Sequence, residues 1–273
     1  MGHVSQEVAE AVAKFRCPLF EVLQAMRITR ALLDAIASSG LDSEVKCVFV
    51  GAFITAVWAK RMGMAYTILP DKPHVDSLPI PNAGRLTELS CYELAQLALS
   101  SEPPQTSVGV AAMNALLVDA LKEDMVEDGD GADVLARVGE GKRVALIGHF
   151  PFVNKLRSCV SELMVFEKRP LEGDLRAEEV EKLLQSAQVV AITGSAFVNH
   201  TIEHLLELSR DAEFVMVIGP STPLSEVLFE FGVDVIAGSV VVEPDVTLKC
   251  ISEGAVFKQL RGVRRVLMRR TRA

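Results

Sequence analysis

The sequence lacks most of the patterns that identify metal and cofactor proteins at sight. Its five cysteines, Cys17, Cys47, Cys91, Cys159 and Cys250, stand singly with no C-x-x-C pair. Zinc-ribbon and thioredoxin-type sites are therefore not expected, and the set reads as reduced, buried thiols of a cytosolic protein. The G-x-G-x-x-G turn of dinucleotide-binding domains is missing. An acidic, Gly-containing stretch at 123–133 imitates a calcium loop but has no Glu at the twelfth position and misplaces its glycine; it reads as an exposed linker. No apolar run reaches the roughly 18–20 residues of a membrane helix, the best, 45–58, being broken by Lys46. No basic region followed by an apolar core and a small-residue cleavage site opens the sequence, so the expected location is cytoplasmic, with no membrane partner. Positive charge is also in deficit: 28 Lys and Arg against 36 Asp and Glu leave a net charge of −8. Such a chain is a poor nucleic-acid binder. One local exception, 261–273, holds six Arg and no acid, but Phe257 is the one aromatic near it and no base-stacking platform exists. It reads as a solvated or partner-facing tail.

What remains is a globular composition over 273 residues, 49 % apolar and 23 % charged, enough for one large or two ordinary domains. Apolar residues recur with helical spacing from Val4 to Gly40. Pro18 divides the run into two helices, and Gly40 closes the second. Short strands are expected at 45–50, 54–58 and 64–69, the last two separated by a turn at Gly63. Pro-rich 70–81 is a loop. Ser90 and Glu93 form a capping box for a helix at 91–99, and Thr106 or Ser107 caps another ending near Leu121. From Arg143 the texture changes to apolar runs at 144–147, 163–166, 189–192, 214–218, 233–237 and 263–268 with helices between them. That alternation predicts a parallel, doubly wound sheet. The fold class expected is thus α/β: an α+β domain over 1–138 and a Rossmann-like domain over 139–273.

In such a sheet ligands bind beyond the carboxyl ends of the strands, at the topological switch point. The strand exits carry Gly148, His149, Phe150 and Pro151; then Glu167; then Thr193, Gly194, Ser195, Asn199, His200 and Thr201; then Gly219, Pro220, Ser221 and Thr222. His149 is the strongest single chemical group, able to ligate a metal or to move a proton near neutrality. Glu167 follows Gly148 at about the spacing of a ribose-binding carboxylate. The two hydroxyl turns, at 193–195 and 219–222, are candidates to hold an anion through free backbone N–H groups, or Ser221 and Thr222 cap the helix that follows. His200 and His204, four apart, are expected on one helix face. His149 and Glu167 are expected to meet as the chemical centre, with Asp174 and Asn199 as additions.

These motifs, Gly148-His149-Phe150-Pro151, Glu167 with Pro170 and Gly173-Asp174, Thr193-Gly194 with Val198-Asn199-His200-Thr201, and Gly219-Pro220-Ser221-Thr222-Pro223, resemble the putative heavy-metal chelation family. The first half is similar to that family's N-terminal partner domain, with its enolase N-terminal-like fold, through segments that include 107–115 and hence Asn114. The resemblance implies a Rossmann-like second domain and a role in heavy-metal chelation or cobalamin-type cofactor metabolism. It also implies a small anionic or metal-chelating ligand, a divalent or heavy-metal ion held by His149, Glu167 and Asp174, and a homodimer. No Cys or His cluster is present in the sequence, so a metal site must be assembled across loops or arrive with its ligand. Two classes of function stay open: an enzyme or carrier acting on such a ligand in the crevice between domains, and a non-catalytic nucleotide or metabolite sensor using the same crevice.

Overall fold

The computed structural model describes residues 26–69 and 80–271. The first of the two expected N-terminal helices and the loop up to residue 79 lie outside them. The second helix is α1 (Arg27–Ser38), which buries Ile28, Leu32, Leu33 and Ile36 along one face. It stops at Gly40, where a φ of +63° suits a residue without Cβ. Its first turn has no cap of its own and no acid. Glu203, far along the chain, fills that place by accepting from the Ile28 N–H at 2.9 Å.

A three-stranded antiparallel meander follows: β1 (Cys47–Val50), β2 (Ile54–Trp58) and β3 (Met62–Tyr66). Alternation places Val57 in the main core and Ile54 and Ala56 in a smaller one with Val241 and Ile251. The capping box is present, Ser90 Oγ accepting from the Glu93 N–H and Glu93 Oε2 from the Ser90 N–H. It opens the short helix α2 (Cys91–Ala95), which tightens into a 3₁₀ turn over Gln96–Leu99. Helix α3 (Pro103–Ala120) begins earlier than expected because Pro103 and Pro104 form its first turn. Thr106 and Ser107 therefore sit inside it, their hydroxyls donating back to the carbonyls of Glu102 and Pro103. Gly63 is not a turn residue. It lies within β3, where an added Cβ would stand 2.1 Å from the Ala111 carbonyl oxygen and 2.2 Å from the Ala115 nitrogen. Strand and α3 meet backbone to backbone, and glycine is what lets them.

The acidic stretch is ordered rather than a free linker. It holds β4 (Glu127–Asp128) and the start of α4 (Gly131–Val138), whose Val134 and Leu135 are buried. Then come β5 (Arg143–Ile147), α5 (Val153–Arg157), β6 (Glu162–Glu167), β7 (Leu175–Arg176), α6 (Val180–Leu183), β8 (Val189–Thr193), α7 (Ser195–Val198), α8 (Ile202–Leu208), β9 (Phe214–Ile218), α9 (Val227–Glu230), β10 (Val235–Val241), α10 (Pro244–Ser252) and β11 (Val263–Arg269). All eight later strands form one sheet in the order β4-β11-β10-β9-β8-β5-β6-β7. From β10 to β7 every pairing is parallel, whereas β11 runs antiparallel to both β10 and β4. The molecule is thus mixed α/β with a parallel-rich eight-stranded sheet. The Arg-rich segment is the strand β11, and its partners are the acids of the supposed linker: Arg264 with Glu123 and Asp128, Arg265 with Asp130, Arg269 with Glu127.

The chain leaves β5 toward β6 on one side and returns over β5 to β8 on the other. The connections that follow β5 and β8 therefore run to opposite sides, which leaves a crevice beyond that edge. One continuous core, from Ile28 through Met113 and Phe197 to Met268, joins the meander, α3 and one face of the large sheet; α4 and α5 cover the other face. Among the described residues no helix is long and apolar enough to cross a membrane.

Candidate functional site

The turn after β5 starts at Gly148, whose φ of +102° favours glycine and whose N–H donates to the Phe166 carbonyl at 2.8 Å. An added Cβ there would stand 3.2 Å from that of Thr193, so the β5 and β8 exits touch. Beyond them lies a cleft of about 1180 Å³. Of the expected site residues, it is lined by Gly148, His149, Phe150, Pro151, Glu167, Thr193, Ser195 and Asn199. Tyr66, Ile68 and Leu69, from β3 and its exit, form the facing wall with Ser101 and Pro103, and the 198–205 segment adds His200, Thr201 and His204. The volume suits a cofactor-sized molecule.

The expected pairing of the His149 ring with Glu167 is not what forms. Glu167 accepts backbone N–H groups instead, Oε2 from His149 at 3.0 Å and Oε1 from Lys168 at 2.7 Å and Arg169 at 3.3 Å. A carboxylate next to three free amides closes its own loop before it reaches a ring. The imidazole pairs with Asp174: Nδ1 donates to Oδ2 at 2.8 Å, and the same oxygen accepts from the Leu171 N–H at 3.0 Å. The Asp174 side chain is 0 % exposed and the His149 side chain 31 %. A buried carboxylate thus fixes the tautomer and aim of a half-open imidazole whose Nε2 has no hydrogen-bond partner among the described residues. Metal-ligating histidines are commonly oriented in this way.

The second hydroxyl turn lies elsewhere. Ser221 is fully buried and its Oγ accepts from the Tyr66 N–H at 2.7 Å, tying the large sheet to β3. Thr222 is buried, and Gly194 packs against it so tightly that a Cβ would stand 2.5 Å from Thr222 Oγ1 and 2.6 Å from its backbone nitrogen. Gly219, Pro220, Ser221, Thr222 and Gly194 are not among the cleft-lining residues. In the two turns four N–H groups are already committed: Gly194 donates to Ile218, Gly219 to Ala237, Thr222 to Gly219 and Ser195 to Thr193 Oγ1. The helix that Ser221 and Thr222 were expected to cap starts only at Val227. Asn114 is buried under β3, its Nδ2 donating to the Met64 carbonyl at 2.9 Å, and is likewise not among the cleft-lining residues. In the first turn Thr193 and Ser195 bond to each other at 2.9 Å, and Asn199 accepts from Thr201.

His200 and His204 do not share a helix. His200 precedes α8 with a φ of +58°, and its Nε2 donates to the Ser100 carbonyl at 2.6 Å. His204 lies on α8 and its Nε2 bonds Glu181 Oε1. The sequence offered only the proximity of these rings in the chain. Tyr66, Ile68, Ser101 and Pro103 were not legible as site residues, since nothing local marks a wall supplied by the first half of the molecule.

A free metal ion asks for three or more converging ligands, and among the described residues no group of three His, Cys, Asp or Glu side chains offers them. The described thiols do not help, as they stand apart, and burial pushes the Cys91 thiol up to about 12, away from thiolate.

Comparison with known proteins agrees with the fold. A crystal structure of a DUF364-family protein of unknown function from Desulfitobacterium hafniense superposes with a TM-score of 0.79 over 90 % of this chain and 98 % of that one, at 24 % identity. One from Pyrococcus horikoshii, of the same family and also of unknown function, gives 0.74 over 90 % and 100 %, at 21 %. An uncharacterized protein of Methanocaldococcus jannaschii is 27 % identical over 209 residues, 73 % of this chain and 78 % of that protein. Residues 33–117 match the DUF4213 family model and residues 130–269 the DUF364 model, both described as "Putative heavy-metal chelation". Since the second match alone takes in half the chain, the protein belongs to the DUF364 family.

Proposed function

We propose that this protein binds an anionic, metal-chelating small molecule in the cleft between the meander and the large sheet, with His149 as the ligand it offers to the chelated ion. The buried Asp174 carboxylate on His149 Nδ1 carries this reading, because it holds Nε2 as a lone-pair donor. The Lys168 ammonium, on the same cleft lining and without a side-chain acceptor among the described residues, supports a negative charge on the ligand. The family description supports a metal. The chain's own part is to aim one imidazole, enclose the ligand and exclude water; the ion, when bound, supplies Lewis acidity. In this reading the first half is an enolase N-terminal-like unit and the second a Rossmann-like one, with the boundary moved from 138/139 to before β4, because β4 and α4 pack with the large sheet.

Native mass spectrometry of freshly purified protein tests the proposal. A metal-containing small molecule should accompany the parent, and His149→Gln should retain about a tenth of it or less. Full retention by His149→Gln overturns the proposal, as does a bound molecule without metal.

A further inference from the structure

Among the described residues four strand edges bound the two sheets: β4 and β7 on the large sheet, β1 and β3 on the meander. An unpaired edge offers its N–H and C=O groups to any extended chain, so proteins keep such edges short, charged or covered. Three of the four are managed in this way. β4 and β7 are two residues long and carry Glu127, Asp128 and Arg176. β3 is covered: the outward N–H of Tyr66 donates to Ser221 Oγ at 2.7 Å, and the outward carbonyl of Met64 accepts from Asn114 Nδ2 at 2.9 Å. β1 has none of these guards. It runs Cys47-Val48-Phe49-Val50, with no charge, proline or glycine. Glu44 bridges Ser90 just ahead of it, but that pairing does not continue into the strand. The adjoining charge, Lys46, is folded back over Trp58 of β2, 5.4 Å from the ring centroid. The Gly51 N–H donates to the Ile54 carbonyl, which sets the alternation along β1. The backbone groups of Phe49 face β2, and Val48 and Val50 turn theirs to the open side. Neither has a backbone partner there among the described residues, and Val50 is 39 % exposed.

We propose that β1 is an interface between two copies of this chain, which join edge to edge, antiparallel about a two-fold axis, so that the two three-stranded meanders become one continuous sheet. The strand itself names the occupant. Val48-Phe49-Val50 reads the same in both directions, so an axis through Phe49 sets Val48 of each copy opposite Val50 of the other, as a self-complementary interface requires. These are the residues with open backbone groups, so every open N–H meets an open carbonyl. Phe49 then opposes its own copy at a non-hydrogen-bonded position, where side chains on neighbouring strands stand closest and aromatic pairs are stabilising. Charge favours this edge over the others. Two copies of β4 would set acids against acids and two of β7 arginine against arginine, whereas β1 brings no charge to its twin. The inference is independent of what occupies the cleft.

Sedimentation equilibrium of the full chain over the micromolar range, with hydrogen exchange at the Val48 and Val50 amides, tests the inference. The parent should pass from monomer to dimer as concentration rises, and the two amides should gain protection as it does. Val50→Lys brings a like charge to each strand of the pair, and Val50→Pro removes an outward N–H that β2 does not use, as edge prolines do in natural sheets. Each should raise the dimer dissociation constant about tenfold or more while the urea midpoint of the monomer stays unchanged, since residue 50 is exposed. Val242→Ser and Leu171→Ser, which remove other exposed apolar side chains, should dimerise as the parent does. A parent that stays monomeric overturns the inference, as does a dimer that survives both Val50 variants or is lost in Val242→Ser or Leu171→Ser. Loss in Val50→Lys but not in Val50→Pro overturns pairing through the backbone. Equal protection of the two amides in dilute monomer would mean that another part of this chain covers the edge, and overturns the inference as well.

Discussion

Two turns of this molecule look alike in sequence and have opposite fates. Gly148-His149-Phe150-Pro151 and Gly219-Pro220-Ser221-Thr222 both follow apolar parallel strands, open on glycine and carry polar groups to the same edge of the sheet. The first lines a cleft with an aimed imidazole. The second is sealed, with Ser221 at 0 % exposure bonded to Tyr66. The difference lies in what stands over each strand end. The meander closes directly on the β9 exit and stands off from the exits of β5, β6 and β8, where Tyr66, Ile68 and Leu69 become the far wall of the cleft. Strand exits are where a site is possible; the neighbouring layer decides which exit becomes one.

That contrast breaks most sharply at the glycines of the sealed side. Gly194→Ala sets a Cβ against the Thr222 backbone, and Gly63→Ala sets one against α3 at still shorter range. Each should cost at least about 3 kcal/mol in urea unfolding, since backbone on both sides leaves nothing flexible to yield. Gly63→Ala is expected to be the worse. A loss under about 1 kcal/mol in both would mean that the two layers are not held as tightly as described. Ser221→Ala leaves the Tyr66 N–H without its acceptor and should cost about 1–3 kcal/mol, with binding in the cleft unchanged. Reduced binding at undiminished stability would move the site to the sealed turn.

The open side should respond in the reverse sense. Asp174→Asn keeps the shape but no longer enforces the tautomer, so binding at His149 should fall about tenfold or more while stability stays within about 1.5 kcal/mol, the scale of one hydrogen bond. Equal losses in both, measured by titration and denaturation, would make the pair a fastener of two loops.

A smaller, pH-dependent effect is expected at Glu203. Burial raises its carboxyl above the ordinary value and outweighs the N–H groups of its own backbone, Ile28 and Thr29, which act the other way. A folded-state value above the unfolded one gives stability that is full below the unfolded value and lost as pH rises through the folded value. Glu203→Gln should remove that fall, flattening the urea midpoint between mildly acidic and neutral solution. An unchanged profile would show that ionisation is not felt there. Arg264→Ala should have the least effect, below about 1 kcal/mol, since exposed ion pairs contribute little, and added salt should narrow its gap from the parent further.

Much of the local structure was legible. The capping box at Ser90 and Glu93, the stop at Gly40 and the six apolar strands of the second half were written in short-range patterns. The errors share a cause, namely that the deciding partner is distant in sequence. Gly63 reads as a turn until α3 is laid on it. Ser221 and Thr222 read as a cap until Tyr66 arrives. Glu167 reads as a partner for His149 because strand order brings them together, but the competition from three backbone amides is a matter of loop geometry. Asp174, treated as a minor addition, is the group that orients the ring. The acidic linker and basic tail, each unexplained alone, became intelligible only as facing strands of one sheet.

The position of β11 has a consequence for the order in which the molecule is made. It lies between β10 and β4, and β4 pairs with nothing else among the described strands. On the ribosome β4 is therefore synthesised well over a hundred residues before its neighbour. At roughly 5–20 residues per second the wait is on the order of ten seconds. Throughout that time its acids remain solvated, which keeps an unpaired edge from recruiting other nascent chains. When β11 appears it brings the arginines that neutralise them and completes the sheet, so a chain that stops short of it would carry an exposed edge and a surplus of negative charge.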